Sequence, residues 1–457
     1  MAFLYINIVK FVAKRGQNML KRKFTETLKQ WKNSKKRECL LVNGARQVGK
    51  TFIIDVFGRE NYKSYIYLNL FKNPEYKQIF EGDLEPAEIY KRISLLVKNV
   101  KFIEGDTLIF IDEIQACSKA RTALKFLAMD DKYDIIASGS LLGLHYNKPS
   151  QEKADEISIP VGYEREVEMH SLDFEEFLWA TGVSEDAIEN LKEYYEQKKV
   201  LPDTIKDLYQ NKLREYLVVG GMPAVVNAFV ETSNFQEAFK VQQKIFKAYE
   251  DDIQHYATNT ERPKIRACYY SIPRQLAKEY SKFQYKTVEK NGSAKKYGNA
   301  LDWLVDAGLI KFVHNVSLPE MPLKAYEQPE NFKVYVTDIG LATHQFGFET
   351  QSALLRKDLK GHAKGGIYEN LIFDILHKRG LALNYYKNGE NTQEIEFVFE
   401  SSGKVIPVEV KSKNGQTTSM NEFIKKYNPT LAIKLIDGNV GVDGNKVSLP
   451  QFMAMFL

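Results

Sequence analysis

One octapeptide restricts the fold more than any other part of the chain. Gly44-Ala45-Arg46-Gln47-Val48-Gly49-Lys50-Thr51 fits the P-loop pattern G-x4-G-K-[S/T]. It lies between an apolar run, Cys39 to Val42, and a helical pattern carrying Phe52, Ile53, Val56 and Phe57. The two glycines let backbone N–H groups converge on phosphate oxygens at the positive end of the following helix. Lys50 would neutralise the β and γ phosphates, and the Thr51 hydroxyl would ligate Mg2+. The bland alternative is a glycine turn with an incidental lysine. It does not account for the strand before the motif and the helix after it.

The pattern continues as a sheet. Tyr65 to Leu70, Leu108 to Ile111 and Asp134 to Ala137 read as short strands, and residues 84–100 and 118–130 read as helices between them. Short apolar strands alternating with helices predict an α/β fold, a P-loop NTPase-type parallel sheet with helices on both faces. The strand Leu108 to Ile111 ends in Asp112-Glu113. There Asp112 would hold Mg2+ through water, and Glu113 would act as general base on the attacking water. Ser138 or Ser140, at the end of the next strand, would touch the γ-phosphate or that water. Arg46, Arg121 and Arg165 are candidates for stabilising charge on the transferred phosphoryl group, and an arginine from a second copy in a homo-oligomer is another.

At these residues the chain resembles a widespread prokaryotic group of ATPases in the AAA+ superfamily. The resemblance is carried by GARQVGKT, LIFIDEIQ and IIASGSLL. It extends through SIPVGYEREVEMHSLDFEEFLWATG and YLVVGGMPAVV. It covers nearly everything from about Met19 and departs at Gly162-Tyr-Glu-Arg165, where the family carries Gly-Arg. In that group the ATPase domain precedes a C-terminal region of unknown function. The resemblance implies an AAA+-type core, a winged-helix-like middle and a tail similar to restriction-endonuclease-like folds. On this reading, residues 1–18 are an N-terminal extension and 19–180 the P-loop ATPase domain. Residues 181–350 are a helical and winged-helix-like domain, and 351–457 a restriction-endonuclease-like α/β domain.

The remaining composition narrows the setting. At ~150 residues per domain, 457 residues allow about three domains. A content of 44% hydrophobic and 27% charged residues excludes wholesale disorder. A net charge of +5 permits a basic face without requiring a nucleic-acid partner. Cys39, Cys117 and Cys268 form no disulfide framework or metal spacing, which points to a reducing, cytoplasmic setting. No apolar run reaches the ~18 residues of a membrane span. Asn7 and Lys10 interrupt the N-terminal apolar stretch, which argues against a signal peptide and leaves Met19 as an alternative start to Met1.

Two further regions carry chemistry. Lys290, Lys295 and Lys296 precede a helix, Ala300 to Ala307, with strands after it. This suits a winged helix contacting DNA, and equally a solvated helix face or a docking surface. In the tail, Glu394-Ile-Glu396-Phe-Val-Phe-Glu400 and Ile406-Pro-Val-Glu409-Val-Lys411 alternate. Paired, they would gather Glu396, Glu409 and Lys411 on one polar face, with Glu369 on the preceding helix nearby. Carboxylates holding Mg2+ beside a water-orienting lysine are what a metal-dependent nuclease uses. The arrangement also resembles the D…(D/E)-x-K pattern, with glutamate at 396 in place of aspartate. The chain is thus expected to bind and hydrolyse ATP with Mg2+, relaying nucleotide state through residues 172–257. A nucleotide-gated nuclease and a non-enzymatic ATP-binding switch are the rivals.

Overall fold

The computed structural model describes residues 19–34, 38–142, 162–278, 282–388, 394–411 and 418–457. The predicted extension over 1–18 lies outside the described residues. The chain divides into two compact units. One comprises Arg22–Ser171 with Asp306–Gly308, and the other contains Leu172–Val305 and Leu309–Leu457.

The first unit contains α1 (Phe24–Lys32), β1 (Cys39–Asn43), α2 (Lys50–Asn61), β2 (Ser64–Asn69) and α3 (Pro86–Leu96). These are followed by β3 (Thr107–Asp112), α4 (Ser118–Asp130), β4 (Asp134–Ser138) and β5 (Glu164–Glu168). The five strands lie in the order β2-β3-β4-β1-β5, every pair parallel. Strands β1 and β3 are buried along their whole length, as expected where helices cover both faces. On one face Leu41, Leu68, Ile109 and Ile111 pack with Ile89 and Ile93 of α3 and Leu124 and Leu127 of α4. Helix α2 packs against β2, β3 and β4. A Cβ at its Gly58 would lie 2.5 Å from the Tyr65 ring, so glycine sets how closely this helix approaches the sheet. The polar run at 164–168 is the edge strand β5, paired on one side only, which is why its side chains are largely solvated.

The second unit begins with helices α5 (Phe174–Ala180), α6 (Glu185–Glu196), α7 (Asp203–Val219), α8 (Pro223–Thr232), α9 (Phe235–Tyr256) and α10 (Arg262–Leu276). A capping box opens α5. Asp173 accepts from the Glu176 N–H at 2.8 Å, and Glu176 accepts from the Asp173 N–H at 3.1 Å. Short α11 (Tyr285–Val288) and α12 (Ala294–Asp306) lead into a hairpin, β6 (Ile310–Val316) and β7 (Glu327–Val336). Then come α13 (Ile339–His344), α14 (Phe348–Arg356), α15 (His362–Lys378), β8 (Asn384–Lys387), β9 (Glu394–Ser401) and β10 (Lys404–Lys411). The unit ends with α16 (Thr418–Tyr427), β11 (Ala432–Ile436), β12 (Gly441–Asp443) and β13 (Lys446–Pro450).

All eight strands form one sheet, in the order β12-β13-β11-β10-β9-β8-β6-β7. Because β6 pairs in parallel with β8, the hairpin after α12 continues the C-terminal sheet and is not a free-standing wing. The glycine-rich residues 361–366 lead into α15. Gly361 (φ +83°) precedes the helix, and a Cβ at Gly366 would lie 1.9 Å from the Leu276 carbonyl oxygen. Glycine there serves close packing of α15 on the end of α10. No described helix is long and apolar enough to cross a membrane.

Candidate functional site

The phosphate loop joins the end of β1 to the start of α2, and its backbone explains its glycines. Gly44 adopts φ +143° and Gly49 φ +100°. A Cβ on Gly44 would lie 2.2 Å from the Met169 carbonyl oxygen, so no other residue fits there. Gln47, at φ +67°, forms part of the tight crest with Ala45 and Arg46, and Arg46 and Gln47 are exposed. Val48 is buried. Its carbonyl accepts from the Arg22 guanidinium at 3.0 Å, and the same guanidinium reaches the His170 carbonyl at 2.6 Å. Arg22 thereby ties the loop to the chain leaving β5, a role the sequence pattern does not reveal.

Lys50 donates to the carbonyls of Gly44 and Ala45, at 2.9 Å each. Burial pulls its ammonium down to about 8; Glu113 and Asp112 oppose that fall, and Arg46 adds to it. The ammonium therefore lies within the electrostatic reach of both predicted carboxylates.

Asp112, at the end of β3, is only 2% exposed, and neutral donors surround it. Tyr67 donates to Oδ2 at 2.8 Å, Asn69 Nδ2 to Oδ2 at 3.0 Å, and the Glu113 N–H to Oδ1 at 3.1 Å. Ser138 donates to Oδ1 at 2.5 Å, and Thr51 Oγ1 to Oδ2 at 3.2 Å. Strands β2, β3 and β4 and the start of α2 thus converge on one carboxylate. Pairing of Asn69 with Asp112 across β2 and β3 follows from the parallel register. The chemistry of this donor set suits Mg2+: the Thr51 hydroxyl and the Asp112 carboxylate offer oxygen ligands 3.2 Å apart.

Glu113 is half-buried with φ +56°, and its Oε2 accepts from Gln115 Nε2 at 2.5 Å. Ser138, offered from sequence as a contact to the γ-phosphate, is fully buried and serves Asp112 instead. Ser140 is half-buried between Gly139, whose N–H meets the Val42 carbonyl at 3.2 Å, and Leu141, whose N–H meets the Gly44 carbonyl at 3.4 Å. This places it alongside the loop. Arg121 pairs with Glu164 at 2.9 Å, while Arg165 points into solvent from β5.

The second unit holds a separate polar cluster. Register pairs Val408 with Phe397, so Glu409 faces Glu396 across β9 and β10, with Lys411 one alternation further along. Lys411 Nζ lies 2.7 Å from Glu396 Oε1 and 3.8 Å from Glu409 Oε1. The Val410 N–H donates to Glu396 Oε2 at 3.2 Å. Glu409 is fully buried, and neither of its oxygens has a hydrogen-bond partner. Burial, with Glu396 adding, pushes its carboxyl up to about 7, and burial also raises Glu396.

Glu369, on α15, accepts from Lys333 Nζ at 2.7 Å and from the Tyr335 hydroxyl. Lys333 also reaches Glu394 at 2.7 Å. A cleft of about 470 Å³ opens here, lined by Gln275, Lys278, Tyr335, Glu369, Glu396 and Lys411 among others. Lys333, Tyr335 and Glu394 escape the sequence reading. A lysine in an alternating strand ordinarily faces water, whereas Lys333 is 1% exposed.

In comparisons with known proteins, residues 36–178 match the family model described as AAA domain. Residues 210–352 match a Domain of unknown function (DUF8612), and residues 364–451 match another, DUF4143. No curated protein matches. Among solved structures, the Walker-type ATPase PABY2304 of Pyrococcus abyssi is similar at a TM-score of 0.42 and 15% identity, over 72% of this chain and 97% of that one. The loop, Lys50, Thr51, Asp112 and Glu113 all lie inside the AAA match. The chain thus carries an AAA domain followed by two domains of unknown function.

Proposed function

We propose that this protein binds ATP with Mg2+, hydrolyses its β–γ phosphoanhydride, and passes the change of nucleotide state to its helical and eight-stranded unit. The observation that carries this reading is the Asp112 carboxylate, buried among neutral donors at the end of β3 and faced by the Thr51 hydroxyl at 3.2 Å. The N–H groups of residues 44–51 and the Lys50 ammonium would receive the β and γ phosphates, Lys50 leaving its two loop carbonyls to do so. Thr51 and Asp112 would hold Mg2+, which when bound neutralises charge developing on the phosphate oxygens. Glu113, oriented by Gln115, would accept the proton of the attacking water as its oxygen bonds to phosphorus. The bond to the bridging oxygen then breaks, leaving ADP and phosphate. Ser140, beside the loop, would contact the γ-phosphate. An arginine from a neighbouring copy in a homo-oligomer would complete the site.

The same reading assigns 19–180 to the ATPase domain, 181–350 to a helical region that meets DNA and lends its β6–β7 hairpin to the C-terminal sheet, and 351–457 to a restriction-endonuclease-like domain, in a cytoplasmic protein. Phosphate release from the native chain, Lys50→Ala and Glu113→Gln, with and without DNA, tests the core of it. Turnover abolished by either substitution supports hydrolysis. Nucleotide binding with no turnover under any condition would leave a passive switch.

One observation favours a second activity. A buried carboxylate without a hydrogen bond is costly, and Glu409 lies opposite Glu396 in that state. A divalent cation held by Glu396 and Glu409, with Lys411 beside it, would satisfy both and equip the cleft as a nucleotide-gated, Mg2+-dependent nuclease. DNA nicking that disappears in Glu409→Ala and Lys411→Ala is the expected result. Absence of nicking in the native chain with ATP and either Mg2+ or Mn2+ would end this reading.

A further inference from the structure

Lys333 lies behind the cleft wall, buried against Glu369 and Glu394, which line it. It sits in the buried half of β7, 1% exposed, among apolar neighbours Val334 and Val336. Taking an ammonium out of water costs several kcal/mol unless close carboxylates offset it. Here they do. Nζ lies 2.7 Å from both Glu369 Oε1 and Glu394 Oε1, with the Tyr385 ring 4.8 Å away. The Tyr335 hydroxyl closes on the same Glu369 oxygen, and Lys387 lies 3.0 Å from the other oxygen of Glu394.

Two acids bridged by one buried cation is the arrangement a bound metal makes, with an ammonium in the metal's place. The consequence for the neighbouring acids is geometric. Among the described residues, Glu369, Glu396 and Glu409 do not bring one oxygen each within 4.8 Å of one another. Glu369 is turned to Lys333, and only Glu396 and Glu409 are left facing each other.

We propose that Lys333 is a built-in cation behind the wall of this cleft that takes up Glu369 and Glu394 in place of a metal ion, so that the cleft takes a single divalent ion, held by Glu396 and Glu409. The inference rests on the nuclease-like reading and deepens it, because it sets the number of metal ions with which a phosphodiester substrate would be met. Glu369 and Glu394 then serve to hold Lys333 and are positioning residues. Removing the ammonium while keeping its length and apolar stem should free them to bind a second ion.

The test is a count of bound Mn2+ by electron paramagnetic resonance on the nucleotide-free full chain, with Asp112→Asn in the background to silence the ATP site. One ion is expected with Lys333 present, none with Glu409→Gln, and two with Lys333→Met. The double change Lys333→Met with Glu369→Gln, which removes the cation and one of its acids together, is expected to return the count to one. Two ions with Lys333 in place, or one ion in Lys333→Met, would overturn the assignment. No ion in the chain that retains Lys333 would instead remove the nuclease-like reading itself, a distinct failure. If Lys333→Met folds only when Mn2+ is supplied, a second ion has replaced the ammonium, which supports the proposal. If it folds under no condition, the double change decides: a count of two there would overturn it.

Discussion

Asp112 and Glu409 are both buried carboxylates beside lysines, and their surroundings differ in kind. Asp112 collects hydrogen bonds from Thr51, Tyr67, Asn69, Ser138 and the Glu113 N–H, none of them charged. Among the described residues Glu409 collects none, and Lys411, 3.8 Å away, is committed to Glu396 at 2.7 Å. Neutral donors satisfy a buried carboxylate's oxygens without forming an ion pair, which leaves Asp112 open to an arriving cation. An unpartnered buried anion has only a proton or an arriving cation to relieve it. One site is assembled before its ligand binds; the other is completed by what binds.

The largest expected effect tests whether the first site is built for turnover. Glu113→Gln should lower phosphate release by ~10²-fold or more while nucleotide binding persists, since a positioned general base contributes about 10²–10⁴. Retained turnover would mean that the neighbour of Asp112 is not the base, and that the preassembled site serves binding alone.

The next effect depends on pH. Bound triphosphate must keep Lys50 protonated, so its pKa rises on binding from the free value of about 8. Affinity should then be flat below pH 8 and fall by up to about tenfold per unit above it, because binding takes up a proton there. Fluorescent-nucleotide titrations from pH 7 to 9.5 measure this. A flat profile would show that Lys50 carries its charge throughout.

Removing single neutral donors sharpens the comparison. Tyr67→Phe and Ser138→Ala should each cost roughly five- to tenfold in turnover, corresponding to about 1 kcal/mol per hydrogen bond. A double-mutant cycle should show coupling, because both donors serve one carboxylate. Additive effects in that cycle would argue that Asp112 does not depend on its donor shell.

The smallest effect concerns Glu409. With its carboxyl raised from 4.5 to about 7, the folded state holds the proton more tightly than the unfolded state. The charged form therefore destabilises the fold above pH 7, and this penalty fades as pH falls toward 4.5. In a metal chelator, Glu409→Gln should raise the melting temperature by about 2–4 °C at pH 8 and by less at pH 6. Divalent cations should stabilise the native chain and not the variant. A variant less stable than the native chain in chelator would mean that Glu409 is not an unrelieved anion.

Much of the first site was legible because its chemistry is contiguous. The loop residues 44–51 and the pair Asp112-Glu113 each sit on a single strand end, so order along the chain carried their roles. Tyr67, Asn69 and Arg22 were not legible, since each acts on a residue from another element. Asn69 had one available signal, its position at the end of a strand that pairs in register with β3. Ser138 was noticed, but its partner was taken for the nucleotide. In the tail, alternation foretold the common face of Glu396, Glu409 and Lys411, which register then set side by side. Lys333 gave no warning.

The amino-acid order by itself determined the parallel-sheet unit, the phosphate loop and its acidic pair, because glycine conformation, apolar runs and strand ends are local properties. Only the tertiary structure decided which carboxylates are met by neutral donors and which are bound by ammonium groups. That outcome depends on strand register and depth of burial, where side chains far apart in sequence meet at about 3 Å in surroundings that water does not screen.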